Sequence, residues 1–436
     1  MLISNKSENT FRAFWWLLWV SAIVLLECYY RDQTGERLKI LHGQYWFFAI
    51  AVLSTMGLVI SLKKYFLEIF FLHKAPVIIF GLLFLALALS AAFGINAAYG
   101  VRLLGILIIT SSPFILMGLW SHSIADKKKV MPLLVVSAIC AFGACILAVF
   151  GPVSWAEMTL ENYLMNSRWA FLFIEANGLG GMMALGLTVT LFQMHISQSQ
   201  TIIWVLGLLV LPVVFFVFWK TNSRGSLLWI LVTLFFYGGL TLRNLVQKIK
   251  NVDLGRFFFP ALAPFFGLCV LLLVIYGQEL SIFLRLNQAD LTSGRMEIWL
   301  LYLEQFKNNP LLGFGFGASD EFMSDYVVTG RYVISGPLNV FFGILGETGF
   351  LGFTAMLWLW CGATYKAWQV VKSQLTQQDG NFHYAFFLMV TLISLAAHQN
   401  GEWQLIRITP FNFLFFFLLS AASTLPKQEK ARLSKA

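Results

Sequence analysis

Three arginines lie beside or between long apolar runs: Arg168 in SRWAFLFIEANGLGG, Arg224 in TNSRG and Arg295 in SGRMEIW. Arginine next to hydrocarbon is costly and is usually matched by an anionic partner or a water-filled cavity. Its planar guanidinium offers two parallel, charge-assisted hydrogen bonds, a geometry fitted to phosphate. Any one of them alone is explained at least as well by snorkelling to a lipid headgroup or by a nearby Glu. As a set they are candidates for binding phosphate. Rival motifs fail on their residues. The glycines of GFGFG at 313–317 are not followed by Gly-Lys-Ser/Thr, so they read as a turn and not a phosphate loop. Cys140 and Cys145 have a loose zinc-ligand spacing, but no second Cys or His pair accompanies them. All five cysteines sit in apolar runs, which implies neither a zinc site nor a disulfide framework.

The elements that must position these arginines are membrane spans. Of 436 residues, 58% are apolar and only 12% charged, whereas a soluble domain carries about a quarter charged residues. So few charges cannot cover a water-facing surface. The 43 Phe and 15 Trp suit lipid-facing flanks and interfacial belts. With roughly 20 apolar residues needed per crossing, spans are predicted near 13–30, 45–62, 75–93, 101–120, 130–150, 170–194, 201–219, 225–242, 257–276, 338–362, 383–397 and 409–425. The predicted fold is therefore all-α and integral to the membrane, with about 12 transmembrane helices. It forms one polytopic domain over 1–436, since no stretch between the runs is long enough for a soluble domain. The first run follows Lys6 and Arg12 as a signal peptide would. It lacks a small-residue cleavage site and precedes many more spans, so it reads as a retained helix.

The net charge of +9 suggests nucleic acid only at first sight. The basic residues form short clusters between spans: Lys6 with Arg12, Lys63-Lys64 with Lys74, Lys127 to Lys129, Arg243 to Arg256, Lys366 with Lys372, and Lys427 to Lys435. Those on the opposite side are mostly single. This is the positive-inside pattern, with both termini cytoplasmic and no nucleic-acid partner. Segment 277–337 is then the one sizeable extracytoplasmic stretch. Within it Thr292 to Asn309 reads as an amphipathic helix with Ile298, Trp299, Leu301, Tyr302 and Phe306 as apolar members. Asn308-Asn309-Pro310 stops it and LLGFGFG supplies a turn-rich exit. So much apolar surface predicts a helix lying along the membrane, over the mouth of the bundle.

From Arg168 to Gly352 the motifs resemble the O-antigen ligases and O-antigen polymerases. The resemblance is carried by Arg168 with Asn177-Gly178-Leu179-Gly180, by Ser223-Arg224, and by Ser293-Gly294-Arg295 with Ile298-Trp299. Asn309-Pro310-Leu311-Leu312-Gly313-Phe314-Gly315 follows, then Asn339 with Glu347-Thr348-Gly349. The resemblance implies a helical, metal-independent glycosyltransferase of the bacterial inner membrane that needs no cofactor. It would move a glycan from an undecaprenyl-diphosphate-linked oligosaccharide to an acceptor hydroxyl, on a glycan or a lipid-linked acceptor, at the outer face. Membrane lipids and a chain-length regulator protein are the further partners it implies. Arg224 and Arg295 match the arginines assigned to the diphosphate, with Arg168 assisting and Asn177 and Asn339 in substrate binding. Fixed cations facing a departing diphosphate stabilise the transition state more than the ground state.

One position departs from the family. A His usually precedes the Asn of the motif after the long segment, as the general base for the acceptor hydroxyl; here Leu338 precedes Asn339. Leucine cannot accept a proton, and the departure is sharpest from the ligase pattern, which favours a polymerase. Two residues could take the proton instead: Glu347, about two turns into its helix, and His398, in the loop AAHQNGEW. The plainer readings are a structural carboxylate and a headgroup-level loop histidine. A lipid or polysaccharide transporter with the arginines along its path is the reading from another class. Against it, the two halves show no repeat and no matching pair of broken spans.

Overall fold

A computed structural model describes residues 29–31, 37–39, 52, 74–120, 176–196, 214, 221, 223–250, 295–319, 322, 336–376, 378–399 and 410–425. Helices dominate them: α1 (Lys74–Phe93), α2 (Ala97–Trp120), α3 (Ala176–Ile196), α4 (Arg224–Lys250), α5 (Arg295–Asn308), α6 (Val340–Gln374), α7 (Gly380–Gln399) and α8 (Pro410–Ser423). Six of these, α1 to α4 with α6 and α7, are long and apolar enough to cross a membrane. They coincide with the runs predicted near 75–93, 101–120, 170–194, 225–242, 338–362 and 383–397. The run at 409–425 appears as the shorter α8. Of the runs at 13–30, 45–62, 130–150, 201–219 and 257–276, only Tyr29, Tyr30, Val52 and Val214 are among the described residues, and Tyr29 and Tyr30 fall in a strand where the run predicted the end of a helix. One departure from a wholly helical reading is a three-residue antiparallel ladder, β1 (Tyr29–Arg31) with β2 (Arg37–Lys39), in register Tyr29 to Lys39. The paired tyrosines of β1 favour strand over helix.

The chain divides into two compact units. The first comprises Met1–Val136, Gly294–Leu392 and Gln399–Ala436, and so holds α1, α2, α5, α6, α8 and most of α7. Its spans carry large apolar residues on their outer faces as well as their inner ones. Along α1 the large Ile78, Leu82, Leu85, Leu89 and Phe93 point outward, while the buried face mixes Phe80, Leu83 and Leu87 with the small Ala86, Ser90 and Ala91. Small residues at helix contacts and large apolar ones toward lipid are what membrane packing selects, because hydrocarbon gives helices no hydrophobic reason to associate. The same economy joins α2 to α8, where Gly118 lies so close that a Cβ there would sit 2.6 Å from the Phe417 carbonyl.

α6 runs twelve residues past its predicted end at 362. Its last turns stay amphipathic, with Ala367, Val370 and Val371 buried and Lys372 exposed. An apolar-run criterion stops at the first lysines, whereas the helix needs only one apolar face to continue. Lys366 donates to the Ser423 carbonyl near the end of α8, a cation at a helix C-terminus.

The second unit comprises Ser137–Ser293 and Ile393–His398, and so holds α3, α4 and the last turns of α7. α3 is buried almost all round, from Gly178 to Met194. A chain of buried hydroxyls ties these helices together. Trp229 Nε1 donates to Thr188 Oγ1 (3.1 Å), which meets Thr233 Oγ1 (2.9 Å), which in turn meets Ser394 Oγ (3.4 Å). In apolar surroundings such bonds contribute about 0.6 kcal/mol each, and their larger effect is to fix the rotation of each helix.

Candidate active site

Arg224 is the first residue of α4, and its placement follows from its neighbours. Ser223 precedes the helix, its carbonyl accepting from Leu227 N (3.1 Å) and its Oγ meeting Ser226 Oγ (2.9 Å). Two glycines let other elements close on this turn. A Cβ at Gly180 of α3 would stand 2.6 Å from Ser226 Oγ and 2.9 Å from Ser223 Cβ. A Cβ at Gly225 would stand 2.9 Å from the His398 carbonyl and 3.4 Å from its Cδ2. The Asn177–Gly180 motif, the Ser223-Arg224 motif and His398 therefore meet within the second unit. Asn177 itself lies in the first turn of α3.

His398 departs from the loop position expected for it. It lies in the last turn of α7, completely buried, its ring edge-on to Trp229 at 5.6 Å. The reason is local: Ala396 and Ala397 favour helix, and the first breaker is the Asn400-Gly401 pair beyond it. The hydroxyl chain through Trp229 consequently also sets the wall against which this imidazole rests.

In the first unit, Arg295 opens α5. The amphipathic helix predicted over Thr292 to Asn309 is there as Arg295–Asn308, with Ile298 and Tyr302 wholly buried in a cluster with Phe314, Ala318 and Phe322. Trp299 stacks on Phe342 (5.1 Å between centroids) and donates from Nε1 to the Pro337 carbonyl (2.9 Å). That bond ties the Arg295 helix to the residue just before Leu338. Leu338 has φ 50, a left-handed conformation uncommon outside Gly and, less often, Asn, Asp and His. Asn339 then caps α6, its Oδ1 accepting from Phe341 N (2.9 Å) and Phe342 N (3.3 Å).

The second half of this region is a splice that sequence alone does not reveal. α6 breaks at Gly349 (φ 62, ψ −160), a conformation open essentially to glycine alone. In an unbroken helix the carbonyls of Gly346 and Glu347 would receive the amides of Phe350 and Leu351. Here they receive Phe314 N and Gly315 N (3.0 Å each), while Phe350 N and Leu351 N donate to the carbonyls of Pro310 (2.8 Å) and Leu311 (3.2 Å). The Asn309–Gly315 turn thus replaces, bond for bond, the helical pairs that the break removes. The α1–α2 connection joins the same point, with Ile95 N donating to the Phe314 carbonyl (2.9 Å) and Ser90 Oγ to the Glu347 carbonyl (2.7 Å).

The Glu347 side chain is buried in this splice. Oε2 accepts from Gly317 N (3.1 Å), and Oε1 accepts from Ser319 N (3.2 Å) and from Ser319 Oγ. Tyr302 Oη donates to Ser319 Oγ (2.8 Å), extending the chain to α5. Sequence reasoning had Tyr302 only as an apolar member of its helix and Gly349 only as part of a motif, and it missed Ser319. The signal for Gly349 was a glycine inside an apolar helical run. For Ser319 no local signal exists, because its role depends on a partner 28 residues away.

Of the other residues singled out by their motifs, Arg168 lies outside the described residues. Arg224 and His398 belong to the second unit, and Arg295, Asn339 and Glu347 to the first. A comparison with curated proteins finds no match. Residues 215–357 match the family model described as O-antigen ligase. That stretch takes in Ser223-Arg224, Arg295, the Asn309–Gly315 turn, Asn339 and Glu347-Thr348-Gly349, so that this part of a multi-pass membrane chain is similar to the O-antigen ligase family.

Proposed function

We propose that the protein is a polymerase-like glycosyltransferase of the bacterial inner membrane, moving glycan from undecaprenyl diphosphate to an acceptor hydroxyl at the outer face. Arg224 and Arg295 hold the diphosphate, with Arg168 assisting, and His398 takes the acceptor proton. The observation that carries this reading is the turn at Ser223-Arg224. It is seated on Gly180 of one family motif and backed by a buried histidine, so that an arginine and a base candidate meet at one end of a span. The leaving diphosphate gains charge as the glycosidic bond breaks, and fixed guanidinium groups favour that state. Attachment to lipid A-core, a ligase reaction, is the second reading, favoured by the description of the matching family model.

The test is reconstitution in proteoliposomes with an undecaprenyl-diphosphate-linked repeat unit. Undecaprenyl diphosphate release and a ladder of lengthened glycans are expected, and a lipid A-core conjugate without a ladder would favour the ligase. Arg224→Ala and Arg295→Ala should each lower transfer by about a hundredfold to a thousandfold, the usual loss for one transition-state donor. The Lys variants keep charge but lose the planar fork and should fall in between. Wild-type rates in either Ala variant would remove that arginine from the site.

A further inference from the structure

We infer that Glu347 is a positioning residue, a buried clasp that sets the Arg295 helix, and not a carrier of the acceptor proton. This rests on the glycosyl-transfer reading above for its catalytic consequence, though not for its geometry. Three donors converge on the carboxylate from the Gly317–Ser319 turn alone. A base must present an oxygen to the acceptor hydroxyl within hydrogen-bond reach, and both oxygens here are engaged by the chain's own turn.

What the clasp holds is specific. Ser319 receives the phenol of Tyr302, and Tyr302 is seven residues, two helical turns, along α5 from Arg295. Two turns put both residues on one face of that helix, about 10 Å apart. Tyr302 is completely buried, with Phe314 at 5.5 Å and Phe322 at 5.6 Å between ring centroids. The rotation of α5 about its axis, and with it the direction from which Arg295 leaves the helix, is therefore fixed at Tyr302. The fixing group is a carboxylate on α6. Glutamine cannot replace it. In either orientation of the amide, its NH2 faces a backbone N–H, that of Gly317 or that of Ser319, and neither can accept.

Two measurements on the full-length protein test this. The first is hydrogen exchange by mass spectrometry in lipid nanodiscs, which needs no activity. In Glu347→Gln the amides of Gly317 and Ser319 should exchange at least tenfold faster, and Tyr302→Phe should speed the same amides by a smaller factor. Unchanged exchange in both variants overturns the clasp. Should Glu347→Gln fail to fold, Tyr302→Phe, which deletes one oxygen, carries the test. The second is the pH dependence of transfer. A positioning role predicts that Glu347→Gln and Ser319→Ala lower kcat by about tenfold, that combining them adds less than twofold, and that the kcat–pH profile keeps its shape. Loss of the acid limb in Glu347→Gln alone would make Glu347 the proton carrier and overturn the inference. If the wild-type protein transfers no glycan, the functional reading fails while the exchange result still decides the clasp.

Discussion

Two buried acid–base residues, Glu347 and His398, sit in different kinds of surroundings. Glu347 is gripped by donated hydrogen bonds, two of them from backbone amides of an adjacent turn. His398 is bounded by packing, with a tryptophan edge on one side and the glycine after Arg224 on the other. A carboxylate held by two backbone N–H groups and a hydroxyl is a structural device: the three donors hold it still. An imidazole packed edge-on to an indole and against the backbone of Gly225 has its ring plane fixed by those neighbours. Burial alone therefore does not mark a catalytic group.

The splice at Gly349 gives the largest way to break that contrast. Gly349→Ala puts a Cβ into a backbone region reserved for glycine and within 2.6 Å of the Gly313 amide. The strain costs about 1–3 kcal/mol, and the clash adds to it. A loss of about 3 kcal/mol or more is expected in thermal or denaturant unfolding, with the first unit affected most. Gly105, by contrast, has nothing within 4 Å of its Cβ position. Gly105→Ala should be neutral or slightly stabilising, because alanine favours helix. Equal losses in the two variants would mean that Gly349 is not the hinge of the splice.

The second way is to remove each acid–base residue in turn. His398→Ala should lower transfer by about a hundredfold, the usual share of a general base, while leaving exchange at the Gly317 and Ser319 amides untouched. Glu347→Gln should do the reverse in emphasis, with a smaller kinetic loss and a larger structural one. A wild-type rate in His398→Ala would show that acceptor activation needs no side-chain base there.

Much of this arrangement was legible in the sequence, and the parts that were not share a cause. Apolar runs located α1 to α4, α6 and α7, because in lipid a segment of that length must satisfy its own backbone and becomes a helix. The amphipathic α5 was legible because Ile298 and Tyr302 recur at helical spacing. His398 was misplaced because the run ended at polar residues, although the alanines before it carry the helix on. The clasp was invisible for another reason. Its bonds from Glu347 and the splice join segments about 30 or more residues apart, and no periodicity reports a partner at that distance. Glycine was the only clue, once in GFGFG and once in Glu-Thr-Gly.

The smallest expected effect concerns Leu338, the residue that stands where the family usually has a histidine. Its φ of 50 places a γ-branched side chain in the left-handed region, at a cost of about 1–2 kcal/mol relative to an ordinary conformation. The conformation is imposed from both sides. Trp299 holds the Pro337 carbonyl before it, and Asn339 must turn extended, at φ −157, to cap α6 after it. Asparagine and histidine tolerate that region better than leucine does, so the backbone here is fitted to a residue other than the one present. Leu338→Asn should raise stability by up to about 1 kcal/mol, less whatever packing the half-buried leucine contributes. Leu338→Gly should gain less, because glycine also frees the unfolded chain. Leu338→His tests function as well as strain. If this position faces the acceptor, the new imidazole should raise transfer several-fold and make His398→Ala less damaging in the double variant. If transfer stays flat while stability rises, the left-handed turn is a relic of the scaffold and the proton leaves through His398.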